Sequence, residues 1–239
     1  MGQIIDLVSR ILTQSERSAE IAGQNISNVT TPGYKRHVEF STLLENAGLE
    51  KRAVESPRSV VRNDGSDFST GKAVETGGGF DLSLAGPGFF VVRTDDGIFY
   101  TRKGQLQRAA DGRVTTGEGQ TVQLEGGGDL VLRGADLTVT ADGVVIENGE
   151  PLGRLAIMDA ADPAVFSRTQ SGLFSAPEGD LHAVTDPVVR QGVLEASNVS
   201  MGDEMLTIMQ ALRRAETGQR LANVYDDLMG RAVTSFGQS

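Results

Sequence analysis

The chain has 239 residues, a formal net charge of -10, and neither cysteine nor tryptophan. Its length is enough for one large domain or two small ones. The negative charge argues against nucleic acid as a partner and against binding to an anionic membrane surface. The lack of cysteine excludes disulfides and thiolate metal sites, and no run of about 18 apolar residues predicts insertion into a membrane.

A long helix is predicted at the start of the chain, because apolar or small residues recur there at alternating spacings of three and four. We call these positions the first seam: Ile5, Val8, Leu12, Ser15, Ala19, Ala22, Ile26 and Val29. Serine and alanine in the middle of the seam require closely packed neighbours, so we expect assembly to order both ends of the chain. Pro32 disfavours helix at Thr31, and Gly33 favours a left-handed turn, so the helix is expected to end near them.

Short strands joined by tight turns are predicted for the glycine-rich middle of the chain. The apolar stretches 89–92 and 98–100 are separated by an Asp-Asp-Gly turn. Asp-Gly and Asn-Gly dipeptides favour β-hairpins because they supply positive φ angles at little cost. Further turns of this kind are predicted at Asp111-Gly112, Asp142-Gly143 and Asn148-Gly149. We therefore expect an antiparallel β domain here.

A second helical seam is predicted at the end of the chain, with the same alternating spacing. Its positions are Met201, Met205, Ile208, Leu212, Ala215, Gln219, Ala222, Asp226, Met229 and Val233. The predicted fold class is α+β, in which the N- and C-terminal helices form a coiled-coil layer and a central antiparallel β-rich domain lies between them in sequence.

Reactive groups that would indicate an enzyme are scarce. The two histidines, His37 and His182, lie far apart in the sequence. The stretch 65–73 resembles a phosphate-binding loop, but it has one residue too many between its glycines, and Ala73 replaces the hydroxyl that would bind Mg²⁺. We therefore assign no catalytic residue, cofactor or metal ligand, and we do not expect an enzyme.

Four motifs occur in order along the chain. The first is AGQNISNVTTPGYKR at residues 22–36, and the others lie at residues 82–92, 100–104 and 191–199. Together they resemble the motifs of the rod, hook and hook-associated proteins of the bacterial flagellum, and the resemblance covers nearly the whole chain. Gln24 is a departure, because the family usually has asparagine there.

The resemblance implies a structural subunit of the flagellar basal-body rod, a helical tube that transmits torque across the periplasm. Its partners would be itself, other flagellar rod proteins and the flagellar type III export apparatus. Subunits of this family leave the cell without a cleavable signal peptide. That expectation agrees with the start of the chain, where Asp6 interrupts the apolar residues Ile4 and Ile5 and no basic residue precedes them.

The resemblance and the two seams also give expected domains and assembly residues. The domains are a helical inner core of residues 1–35 and 195–239, an extended connector of residues 36–75, and a β-rich outer domain of residues 76–194. Asn25 and Asn28 lie three residues apart and hence on one helix face, where their amides could bind a neighbouring helix. The expected assembly interface consists of Leu12, Asn25, Asn28, Tyr34, Asn198, Met205, Ile208 and Leu212.

Length and arrangement favour a proximal rod protein, and a distal rod protein is the alternative. Short rod proteins lack a β domain of this size, and hook proteins usually carry further outer domains. Two other classes of function stay open. One is an enzyme of the basal body, such as a peptidoglycan hydrolase, and the other is a β-domain adaptor whose helices merely dimerise.

Overall fold

The computed structural model describes residues 2–39, 65–134, 136–169 and 172–236. Helix α1 is Gly2–Ser27 and helix α2 is Met201–Phe236. Between them in sequence lie short strands and two 3₁₀ helices, Pro163–Val165 and Glu178–Asp180. The predicted helix at each end and the antiparallel β-rich middle are therefore confirmed.

The strands are numbered in chain order. They are β1 (His37–Val38), β2 (Gly65–Ser66), β3 (Ala73–Glu75), β4 (Leu82–Leu84), β5 (Phe89–Thr94), β6 (Gly97–Thr101), β7 (Leu106–Arg108), β8 (Val114–Thr116), β9 (Thr121–Val122), β10 (Thr138–Val139), β11 (Val144–Glu147), β12 (Glu150–Arg154), β13 (Ile157–Ala160), β14 (Ser167–Arg168), β15 (Phe174–Ser175), β16 (Leu181–Ala183), β17 (Val189–Gln191) and β18 (Val193–Glu195).

The chain divides into two compact units, a helical unit of Met1–Ser27 and Ser200–Ser239, and a β unit of Asn28–Val199. The predicted connector at 36–75 falls partly outside the described residues, because residues 40–64 are not among them. The predicted inner and outer domains refer to an assembled filament, so their limits stay a prediction.

In the helical unit, α1 and α2 pack against each other in antiparallel orientation. Asn25 near the end of α1 bonds to Glu204 near the start of α2. Gly218, further along α2, lies against α1, and a Cβ atom there would be 3.3 Å from Ile11 and 3.5 Å from Leu12. The absence of a side chain at Gly218 therefore lets the helices approach closely. None of the described helices is both long and apolar enough to span a membrane.

The covered face of α2 overlaps the predicted second seam but is shifted around the helix. Ile208, Ala215 and Ala222 of the seam are half-buried. Glu204, Ala211 and Gly218, which lie between seam positions, are buried more deeply. Met201, Met205 and Leu212 of the seam are instead exposed. A spacing of three and four fits both of these adjacent faces, and only the packing against α1 selects between them.

The β unit is built around a nine-stranded antiparallel sheet. Its main path has the order β14-β15-β6-β5-β9-β8-β7, and β13 joins β5 to β16. The predicted hairpin is confirmed, because β5 pairs with β6 from Phe90 and Thr101 to Thr94 and Gly97. A separate three-stranded sheet has the order β10-β11-β12.

Two apolar clusters lie on opposite faces of β5, since neighbouring side chains of a strand alternate. Phe90 and Val92 belong to the larger cluster. Phe89 and Val91 belong to a smaller, aromatic cluster, in which the ring centroids of Phe89 and Phe166 are 4.4 Å apart.

Within its described residues, the β unit also has three two-stranded sheets. One joins two strands from the beginning of the unit, and the other two join a strand from the beginning to a strand from the end. β1 pairs with β2, β3 with β18, and β4 with β17. The pairing of β3 with β18 sets Leu194 opposite Val74 and Glu195 opposite Ala73. This long-range pairing places residues 73–75 beside the last motif, residues 191–199.

Candidate functional site

Three of the four motifs meet around one buried carboxylate, that of Glu195. Lys35 Nζ donates to Glu195 Oε1 at 2.7 Å, and Arg102 donates to Glu195 Oε2 at 3.4 Å. Only 1% of the Lys35 side chain, 5% of Arg102 and 4% of Glu195 is exposed. We call Lys35, Arg102 and Glu195 the charge cluster.

Backbone groups provide further partners for the charge cluster. Lys35 Nζ also donates to the Ser69 carbonyl at 2.8 Å, and the Gly71 amide donates to Glu195 Oε1 at 2.9 Å. Arg102 donates to the Gly86 carbonyl at 2.8 Å, whereas its Nε atom has no hydrogen-bond partner within the described residues. Because buried charges are stable only when they are paired and hydrogen-bonded, this network fixes several backbone segments at once.

Burial and pairing act in opposite directions on the two cations. Burial lowers the pKa of the Lys35 ammonium, and the hydrogen bond and charge of Glu195 raise it in part. Burial likewise lowers the pKa of Arg102, and the charges of Glu195 and Asp159 oppose that effect. The negative charge of Glu195 therefore offsets part of the cost of burying both cations inside the protein.

Gly33 of the first motif packs directly on the backbone of the third motif, residues 100–104. Its amide donates to the Glu195 carbonyl at 2.7 Å, and its φ is 68°. A Cβ atom there would lie 2.6 Å from the Lys103 amide nitrogen and closer still to the Arg102 carbonyl. Both the left-handed conformation and the close approach therefore require glycine.

Arg168 holds the neighbouring tyrosine. Its guanidinium carbon lies 4.7 Å from the centroid of the Tyr34 ring and 5.1 Å from that of Phe174. It also donates a hydrogen bond to the Lys35 carbonyl, and burial lowers its pKa. Stacking between a cation and two rings is favourable when the site excludes water, so Arg168 ties the turn after Gly33 to β14 and β15.

Asn198 connects the end of the unit to two earlier segments. Its side-chain oxygen accepts from the Arg36 amide at 2.6 Å, and its side-chain nitrogen donates to the Asp67 carbonyl at 2.8 Å. Its own amide donates to the Tyr34 carbonyl at 3.4 Å. We call the charge cluster, Arg168 and Asn198 together the clamp, because their charged groups and amides hold distant segments of the chain together.

Comparison with known proteins agrees with this convergence of motifs. Residues 83–149 match the family described as flagellar hook protein FlgE/F/G D1 domain, and residues 190–235 match the C-terminal family of flagellar basal body rod FlgEFG proteins. The chain is 30% identical over 233 residues to the flagellar basal-body rod protein FlgF of Caulobacter vibrioides, covering 93% of each chain. This chain belongs to the flagellar basal-body rod protein family.

Other members of the rod family match at similar levels. FlgF of Salmonella typhimurium is 30% identical over 92% of each chain. FlgG of Agrobacterium fabrum is 29% identical, covering 89% of this chain and 91% of the relative. The resemblance predicted from the four motifs is confirmed, and the chain is FlgF-like, with FlgG as the near alternative.

The structure of this rod-family chain brings some of the predicted assembly residues together. Tyr34 and Asn198 meet beside the charge cluster in the β unit. In the helical unit, the fully buried Asn25 donates to Glu204 Oε2 at 3.2 Å. Asn28 is half-buried, and its side-chain oxygen accepts from the Thr31 hydroxyl at 3.2 Å in the turn after α1.

The other predicted assembly residues lie on the helices. Leu12 is half-buried near Gly218, and Ile208 is half-buried on the covered face of α2. Met205 and Leu212 are 50% and 57% exposed. Whether these positions contact another subunit stays a prediction.

Sequence reasoning missed the charge cluster and Arg168. Lys35, Arg102 and Glu195 stand in three of the four motifs, and the signal that could have found them is the occurrence of charged residues of opposite sign within these motifs. Arg168 lies outside every motif, so no sequence signal marks it. The two histidines lie in different sheets, His37 on β1 and His182 on β16.

Proposed function

We propose that this chain is a structural subunit of the bacterial flagellar basal-body rod that assembles with copies of itself and with other rod proteins. Support comes from its match to a rod protein over 93% of both chains. It also comes from the role of the charge cluster, whose groups bind each other and the backbone. We infer that the chain is not an enzyme, because its motifs build a clamp.

The observation that carries the proposal is an exposed stripe of large apolar side chains on α2. Met201, Met205, Met209 and Leu212 recur at helical spacing, and 44%, 50%, 47% and 57% of their surfaces are exposed. Apolar residues aligned in this way indicate a surface that another protein covers. We propose that helices of neighbouring subunits cover the stripe and form a coiled-coil layer.

We propose that different parts of the chain occupy different layers of the polymer. Residues 1–35 and 195–239 form the inner core of the polymer, residues 36–75 the connector and residues 76–194 the outer domain. The subunit leaves through the flagellar type III export apparatus without cleavage and lies in the part of the rod that spans the periplasm. The proposed contacts between subunits involve Leu12, Asn25, Asn28, Tyr34, Asn198, Met205, Ile208 and Leu212.

Cryo-electron microscopy of basal bodies purified from the source bacterium tests the proposal. We expect density for this chain in a helical lattice, with both helices in the innermost layer. Basal bodies that lack the chain, or that hold it as a single peripheral copy, would instead favour an adaptor.

A complementation experiment tests the proximal position. We expect the chain, expressed with its natural export partners, to restore rod assembly in Caulobacter vibrioides lacking FlgF. It should not do so in Agrobacterium fabrum lacking FlgG. The reverse result would assign the chain to the distal, FlgG-type position, and the two strains serve as controls for each other.

A further inference from the structure

A cleft of about 420 Å³ opens on the β unit, on the face of the sheet that carries the aromatic cluster, and its lining does not include Lys35, Arg102 or Glu195. Val91 of β5, Tyr100 of β6 and Met158 of β13 line it, together with Leu181 of β16. Its volume falls within the range of about 300–1,000 Å³ that is typical of sites holding a ligand. Most of the cleft wall is apolar, so water inside it is displaced at little cost.

The mouth of the cleft is acidic. Glu125 and Glu178 line the cleft, and both are exposed. Neither forms an ion pair with another described residue, whereas Arg154, the basic residue at the cleft, is paired with Asp142 at 3.4 Å. Gly126 and Gly127 also line the cleft and are exposed, and they have no side chains that could close it.

The hydroxyl group of Tyr100, which also lines the cleft, responds to the negative charge of Glu178. Tyr100 is 5% exposed, and burial raises the pKa of its hydroxyl, with the charge of Glu178 as a second cause. Glu178 therefore lies close enough to act on the hydroxyl through its charge. A cation bound near Glu178 would reduce both the charge and its effect on Tyr100.

We propose that this cleft binds an extended segment of a partner protein in which large apolar side chains stand next to lysine or arginine. The apolar side chains pack against Val91, Met158 and Leu181 in the cleft, and the basic side chains pair with Glu125 and Glu178. Charge complementarity selects this partner over an acidic or purely apolar one. The inference is independent of the proposed rod function, because the cleft belongs to the single subunit.

Peptide binding to the purified full-length chain tests the proposal. The probe is the synthetic peptide acetyl-Gly-Arg-Leu-Leu-Arg-Gly-amide, and one control peptide has glutamate in place of both arginines. We expect the basic peptide to bind and to shift the NMR signals of Met158 and Leu181 methyl groups. Its affinity should fall when the salt concentration is raised, because salt screens exposed charges.

Matched variants locate the interaction. The double variant Glu125→Gln/Glu178→Gln should bind the basic peptide about three- to tenfold more weakly, the loss expected for two exposed ion pairs. Glu150→Gln removes an exposed carboxylate of β12 that does not line the cleft, and it should bind as the unchanged chain does. Unchanged melting temperatures establish that both variants are folded.

Three outcomes would overturn the proposal. These are no binding of the basic peptide at millimolar concentration, equal binding of the acidic peptide, and methyl shifts confined to residues outside the cleft. Each would leave the rod assignment untouched, since none involves assembly.

Discussion

Lys35 and Glu195 are 160 residues apart in sequence, yet they form an ion pair of 2.7 Å in which almost no part of either side chain reaches solvent. Arg102 shares the same carboxylate, so the cluster holds two cations and one anion. Removal of the anion leaves two buried charges without their common partner, whereas removal of one cation leaves an intact pair. The three residues should therefore respond unequally to substitution.

Glu195→Gln should lower the free energy of unfolding of the β unit by about 3–5 kcal/mol, the effect typical of breaking a buried pair. Lys35→Met should be less harmful, because Arg102 still binds Glu195. Denaturation with urea, followed by near-ultraviolet circular dichroism, measures both changes. Glu150→Gln, at an exposed position, is the matched control, and an equal effect of Glu150→Gln and Glu195→Gln would contradict the role of the cluster.

Gly33→Ala should destabilise the β unit more than Gly77→Ala. The two glycines have nearly the same φ, 68° and 69°, so the conformational strain of a left-handed alanine is about equal, on the order of 1–2 kcal/mol. Only Gly33 faces the Arg102 backbone, while a Cβ atom at Gly77 meets nothing within 4 Å. The difference between the two variants in urea denaturation measures the steric term alone, and equal stabilities would show that the backbone contact yields without strain.

The ends of the elements near the first motif could be predicted from single residues. Pro32 and Gly33 predict that α1 ends close to them, and Gly33 does adopt the left-handed turn. The helix itself ends earlier, at Ser27, so Val29 of the first seam lies beyond it. The hairpin of β5 and β6 follows from the Asp-Asp-Gly turn, whose Gly97 begins β6. Local conformational preferences decide these features, so the sequence is sufficient for them.

Features that depend on distant chain segments could not be predicted in the same way. Arg168 binds Tyr34 and Phe174 only because β14, β15 and the turn after Gly33 meet in space. The covered face of α2 is chosen by the small residues opposite α1, while the apolar spacing fits the exposed stripe equally well. The cleft has no sequence signature, because its walls come from five strands, a 3₁₀ helix and the segments between them.

Tyr100 should make the β unit less stable at alkaline pH. Burial, and then the charge of Glu178, raise the pKa of its hydroxyl above the ordinary value of 10.0. Above pH 10.0 the unfolded chain loses this proton while the folded chain keeps it, so the free energy of unfolding falls as the pH rises towards the raised pKa. The contribution is fully present below pH 10.0.

Tyr100→Phe removes this titration, so the variant should lose less stability between pH 9 and pH 11 than the unchanged chain. Urea denaturation across that range, together with ultraviolet titration of tyrosinate, gives the measurement. Tyr225→Phe, on α2 outside the β unit, is the control. A parallel loss of stability in Tyr100→Phe and the unchanged chain would mean that Tyr100 does not govern the alkaline response.

Leu212 and its neighbour Ala211 separate assembly from the stability of the subunit. Leu212 is 57% exposed on the apolar stripe, and Ala211 is 3% exposed on the covered face of α2. In Leu212→Asp the new carboxylate faces water in the free subunit, so the melting temperature should barely change. In the proposed helical layer the same carboxylate is buried without a partner, at a cost of several kcal/mol, so incorporation into rods should be abolished. Ala211→Asp buries the charge already in the free subunit, so its helical signal at 222 nm should be lost at a lower temperature. Leu212→Met keeps the apolar surface and should assemble normally.

Motility, electron microscopy of basal bodies and thermal unfolding of the purified chains measure the two effects separately. Normal rods built from Leu212→Asp would refute the stripe as an assembly surface, and a lower melting temperature for this variant would mean that Leu212 already packs within the subunit.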